Sequence, residues 1–140
     1  MNIGRILKIC IALLMLIIGG LIYVGFRSET LLMFRWFRCC GVFEYVAHFR
    51  ETCLGCDLPY FVRYSLPDGL WLLSYMIIIG TIWNKNKSIQ YLIFVYAMPI
   101  IAIIIELLQY YFTELGTFDI LDIIAYTAAI IIYKLIQHLI

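Results

Sequence analysis

The stretch Ile89–Asp122, IQYLIFVYAMPIIAIIIELLQYYFTELGTFDILD, decides how the rest of the chain is read. Residues 89–111 hold one acid and no base, and at a rise of about 1.5 Å per residue they cover the ~30 Å of a bilayer's hydrocarbon core. Pro99 stands near the middle, where it removes a backbone donor and predicts a kink. Thr113 to Phe118 is a short polar turn, and from Asp119 a second apolar run continues to about Leu139. Two long apolar segments joined by so short a turn are expected to be antiparallel transmembrane helices.

Working outward, Asn84-Lys85-Asn86-Lys87-Ser88 is a polar turn, and before it the apolar run 66–83 is a further span. Ser65-Leu66-Pro67-Asp68 opens that span, with Ser65 as the expected cap, Pro67 in the first turn and Asp68 at the third helical position. At the other end of the chain, residues 7–26 are apolar apart from Lys8. This run exceeds the ~7–15 residues of a secretory h-region and no Ala-x-Ala site follows, so it is read as a retained helix. The whole chain supports this scale of membrane burial: 65% of its 140 residues are hydrophobic, 14% are charged and the mean hydropathy is +1.00. Soluble domains run about 45–50% apolar and about 25% charged. The fold class is therefore all-α and polytopic, a single membrane domain over 1–140 with spans at about 7–26, 66–83, 89–111 and 120–139.

Residues 27–63 are different. They hold five Arg, four acids, His48 and four Cys among many aromatics, as in Phe34-Arg35-Trp36-Phe37-Arg38. This composition predicts a segment of one or two short helices, broken at Gly41 and Gly55, lying on or in the membrane interface at the outer face. Arg35 and Arg38 are suited to lipid phosphates. Arg5, Lys8, Lys85, Lys87 and Lys134 fall at one end of the four spans, and the nine acids fall on or toward the other. The positive-inside rule then puts both termini in the cytoplasm. With a net charge of +1, no nucleic-acid partner is implied.

The candidate site lies at the outer end. Glu106, Gln109 and Tyr110 are spaced i, i+3, i+4 and share a helix face, as do Asp119, Asp122 and Tyr126. The short turn brings the two faces together. Ionised groups inside a membrane are costly, which makes such a cluster a candidate polar site. A structural network is the competing explanation, since Asp119 and Asp122 suit the first turn of a helix. Glu106 does not fit that pattern, being near a helix C-terminus where the dipole disfavours an anion. Crowded carboxylates need a proton or a cation, and Arg27 or Arg63 is the expected charge partner.

Four cysteines, Cys39, Cys40, Cys53 and Cys56, lie in the 27–63 segment and Cys10 in the first span. On an oxidising face, at least one disulfide is favoured, joining one of the adjacent pair to the Cys53/Cys56 turn. An adjacent pair is a poor zinc knuckle, so no metal site is expected. Unpaired thiols are the remaining alternative. His48 lacks an orienting acid and is read as a surface residue, and no cofactor is implied.

Glu106-x-x-Gln109, a turn with Gly116, and Asp119-x-x-Asp122 opening a final helix resemble the VanZ-like family, small polytopic bacterial membrane proteins named after an accessory protein of teicoplanin resistance. An earlier Asp opens a preceding span in that family, as Asp68 does here, and Tyr75 sits where an aromatic is common. The resemblance covers Asp68 to Ala129. Thr117, Tyr126 and Ala129 stand where the family has Arg, Asn and Gly. The resemblance implies a protein of the bacterial cytoplasmic membrane acting at its outer leaflet, on glycopeptide susceptibility or a lipid-linked cell-wall molecule. The alternative is a non-catalytic adaptor or subunit whose polar cluster docks another membrane protein. In either case membrane lipids are partners.

Overall fold

The computed structural model describes residues 3–53, 55–83 and 88–139. It is all-helical, with no strand among these residues. Four helices are long and apolar enough to cross a membrane: α1 (Ile3–Phe26), α5 (Leu66–Trp83), α6 (Ile89–Tyr111) and α7 (Ile120–Leu139). The chain is a multi-pass membrane protein. In hydrocarbon each backbone N–H and C=O must be satisfied internally, which a helix achieves within one segment.

The four helices are not equivalent. Half of α5 is buried, against 17% of the comparable stretch of each of the others. α5 is the central helix and packs against α1, α6 and α7. Small residues permit the close approaches. A Cβ on Gly19 of α1 would lie 2.8 Å from the Trp71 indole nitrogen, and one on Gly69 of α5 would lie 3.0 Å from Ala125 Cβ. Lipid tails are as apolar as Leu, so such packing and polar contacts hold membrane helices together rather than hydrophobic burial. The core is Ala12, Leu72, Leu73, Met76, Ile77, Val95, Ala129 and Tyr133. The Tyr133 and Tyr91 hydroxyls are hydrogen-bonded at 2.8 Å within it. Large apolar side chains such as Ile17, Ile104 and Ile131 cover the outside and face lipid.

Polar contacts fix which helix ends lie together. Arg5 Nη2 donates to the Thr81 carbonyl at 3.4 Å, and Lys8 Nζ donates to Gln137 Oε1 at 3.3 Å. The start of α1 and the ends of α5 and α7 therefore share one end of the bundle. The expected turn at Asn84–Lys87 lies outside the described residues, while Ser88 caps α6 by accepting the Tyr91 N–H at 3.3 Å.

Residues 27–63 form three short helices at the opposite end, where one or two were expected: α2 (Leu32–Cys39), α3 (Phe43–Cys53) and α4 (Tyr60–Tyr64). Gly41, at φ 71°, turns α2 into α3. Arg50 ties this cap to α1, donating from Nη1 to the Val24 carbonyl at 2.5 Å and pairing with Glu29 at 3.4 Å. Glu29 also pairs with Arg38 at 3.2 Å. α4 runs into α5 with almost no break. Ser65 has helical torsions (φ −100°, ψ −36°) and its hydroxyl makes no capping bond, contrary to expectation. The Ser65 N–H donates to the Phe61 carbonyl at 3.0 Å and the Ser65 carbonyl accepts the Gly69 N–H at 3.2 Å, so the residue is carried within the helical path instead of standing ahead of it.

Candidate functional site

Three carboxylates from three helices converge at the end of the bundle that carries α2–α4. Asp68 stands in the first turn of α5, Asp122 in the first turn of α7, and Glu106 about one and a half turns before the end of α6. Glu106 is only 4% exposed. Its Oε1 accepts the Asp119 backbone N–H at 2.6 Å. Asp119 in turn accepts the Leu121 N–H at 2.9 Å through Oδ1 and so caps α7. The acid that the dipole argument left unexplained is thus held by a backbone donor just ahead of α7. Donors at a helix start favour an anion, which offsets the unfavourable end of its own helix.

Asp122 lies beside the buried Ser65 hydroxyl, but Ser65 Oγ and Asp122 Oδ1 each lack a hydrogen-bond partner among the described residues. Tyr126 is within electrostatic reach of Asp68, Asp122 and Glu106. Tyr60 of α4 approaches from the cap. The neighbouring Asp119 carboxylate raises its phenol above the ordinary value of 10.0.

Of the two candidate cations, Arg27 acts on Asp68 and Asp122 through space. It forms no ion pair within 4.0 Å among the described residues, because its guanidinium stacks between the Tyr23 and Tyr64 rings at 5.2 Å from each. Its Nε is buried without a hydrogen-bond partner among the described residues. Arg63 lies outside the cluster, paired with Asp57 at 3.4 Å. No guanidinium reaches Glu106; a backbone N–H takes that place.

Gln109 lies under the turn after α6. A Cβ on Gly116 would fall 3.0 Å from its amide, and Gly116 also has φ 144°, so both space and torsion call for glycine there. Tyr110 does not close the cluster as expected. It is 65% exposed and packs edge-on against Phe118 and Tyr111. It sits a full turn past Glu106, where α7 has not yet begun and only the turn is available to contact.

Spacing alone did not reveal an apolar groove next to the acids. It has a volume of about 260 Å³ and is lined by Asp68, Trp71, Leu72 and Tyr75 of α5, Met98 and Ala102 of α6, and Tyr126 of α7. The α5 residues follow Asp68 at i+3, i+4 and i+7, so their shared face was readable. The opposing wall was signalled only by Pro99. Proline interrupts the hydrogen-bond ladder at the Val95 carbonyl, and next to it the Tyr75 hydroxyl donates to the Phe94 carbonyl, 2.5 Å away. The arrangement offers acceptors for hydroxyl or ammonium groups at one end and apolar walls for a chain at the other.

Cys10, Cys39, Cys40, Cys53 and Cys56 are all free thiols in the structure, against the expected disulfide. Cys39 and Cys40 sit at the α2–α3 turn, whereas Cys53 stands at the far end of α3, an 11-residue helix about 15 Å from first to last residue. Bonded cysteines have Cα atoms within about 7 Å. Cys56 is close to Cys53, its N–H bonded to the Cys53 carbonyl at 3.0 Å, but the Cys53 thiol packs on Gly25 of α1. Among the described residues no group of three or more His, Cys, Asp or Glu side chains is arranged to hold a metal ion.

Comparison with protein-family models, with curated proteins and with solved structures finds no match.

Proposed function

We propose that this is a VanZ-like protein of the bacterial cytoplasmic membrane, with both termini in the cytoplasm, that engages a lipid-linked cell-wall molecule at the outer leaflet. The observation that carries this reading is the continuity of Asp68 and Tyr126 with the groove between α5, α6 and α7. An amphiphile fits that continuity: its hydrocarbon lies along Leu72, Met98 and Ala102, and its hydroxylated head meets Asp68, Asp122 and Tyr126. The resemblance around Glu106-x-x-Gln109 and Asp119-x-x-Asp122 supports the same assignment, and the lysines at the opposite end support the orientation.

A photoreactive residue at Ala102, in cells, tests the proposal. The expected product is a crosslink to a lipid-linked envelope intermediate, reduced in Asp68→Asn. Ile100 is 54% exposed on the same helix and serves as the lipid-facing control. Bulk phospholipid captured equally from both positions would overturn the reading. The adaptor alternative has the Glu106–Asp119 bond in its favour, since that bond gives Glu106 a purely structural task. It predicts crosslinks to a protein instead.

A further inference from the structure

A second cavity, separate from the carboxylate cluster, lies where α1 leaves the bundle. It has a volume of about 180 Å³ and is lined by Gly25, Phe26, Arg50, Cys53, Cys56 and Arg63. The lining holds two guanidinium groups and no acid. Each arginine is partly committed. Arg50 uses Nη1 on the Val24 carbonyl and Nε on Glu29. Arg63 uses Nη2 on Asp57, whose side chain is fully exposed. An ion pair to so exposed a carboxylate is screened and weak. Arg63 Nε is buried without a hydrogen-bond partner among the described residues, and a buried donor left unpaired is costly.

We infer that this cavity binds a phosphate group, carried by a phospholipid of the leaflet that borders α2–α4. Planar guanidinium forks match phosphate oxygens bidentately. The level is that of headgroups, because Gly25 and Phe26 end a spanning helix. Helices α2, α3 and α4 carry exposed Trp36, Tyr45 and Tyr60, the residue types that settle at membrane interfaces. Phe26, under the Arg63 guanidinium at 5.9 Å, offers an apolar wall for the glycerol end of the lipid. Phosphate oxygens would replace the weak Asp57 contact and satisfy Nε. This site takes an anion, whereas the carboxylate cluster repels one, so the two do not compete.

Native mass spectrometry of the detergent-solubilised full chain, titrated with phosphatidylglycerol, tests the inference. One lipid is expected to stay bound, with affinity lowered about tenfold or more in Arg63→Gln, as the loss of a charge-assisted contact implies. Arg63→Lys keeps the charge without the fork and should recover part of the loss. Lys134→Gln, exposed at the opposite end of the bundle, should change nothing. Diacylglycerol, which lacks the phosphate, should be retained less than phosphatidylglycerol by the wild-type chain; this arm holds even where Arg63→Gln fails to fold. Equal retention of diacylglycerol, or of phosphatidylglycerol by a folded Arg63→Gln variant, would overturn the site. Displacement of the lipid by an equal concentration of inorganic phosphate would overturn its assignment to a lipid.

Discussion

Substituting Glu106 separates its structural task from any functional one. The carboxylate is 4% exposed and accepts the Asp119 N–H at 2.6 Å, a short contact in a place with little water. A hydrogen bond to a charged group contributes about 1.5–3 kcal/mol, and its loss leaves the donor unpaired. Polar contacts measured inside membrane bundles are smaller, averaging about 0.6 kcal/mol. Removing one negative charge also relieves repulsion from Asp119 and Asp122. Glu106→Ala should therefore destabilise the bundle by about 1–2 kcal/mol. Glu106→Gln keeps an amide oxygen in the same position and should stay within about 0.5–1 kcal/mol of wild type. Unfolding in mixed micelles by titration with a denaturing detergent, followed by tryptophan fluorescence, measures both. Trp71 reports from the α1–α5 contact itself. Equal destabilisation by Gln and Ala would refute the acceptor role, and so would no change in either. With Glu106→Gln folded, capture of lipid at Ala102 becomes the functional readout. Loss of capture then belongs to the carboxylate, whereas retention leaves Glu106 as the anchor of the α6–α7 turn.

Three further outcomes are expected. Gly80→Ala places a methyl on the Tyr133 hydroxyl, and Tyr133 is 1% exposed and cannot yield; overpacking costs about 1–3 kcal/mol against a helical gain of about 0.5–1, so net loss is expected in the same assay, while Gly20→Ala, with open space around it, should be neutral or stabilising. Single cysteines at 88 and 117 in a cysteine-free chain should label from opposite sides of intact cells, with 117 accessible from outside, and labelling of 88 from outside would reverse the proposed orientation. Alkylation of unreduced protein followed by mass spectrometry should modify all five cysteines, and a Cys39 or Cys40 bond to Cys53 or Cys56 would show that the cap folds differently.

The four spans were legible because lipid makes one demand that hydropathy records directly: about twenty apolar residues whose backbone polar groups are satisfied within the segment. The paired acids were legible for a related reason, since charge in an apolar run stands out and helical spacing assigns its face. That is why Glu106, Asp119 and Asp122 could be put at neighbouring helix ends before any contact was known. Hydropathy could not say which helix is central. Lipid-facing and helix-facing positions are equally apolar, so α5 became the core only when Gly19, Gly69 and Gly80 were seen against Trp71, Ala125 and Tyr133. The same holds for partners set by distance rather than spacing. Tyr110 turns outward past the start of α7, Ser65 is carried through a nearly continuous helix instead of capping one, and Arg27 stacks on two tyrosines rather than pairing with Glu106. The groove beside Asp68 and the Arg50–Arg63 cavity are spaces between elements, and their walls come from residues up to 58 positions apart, Asp68 to Tyr126. Sequence fixes what each helix can present; only packing decides what it meets.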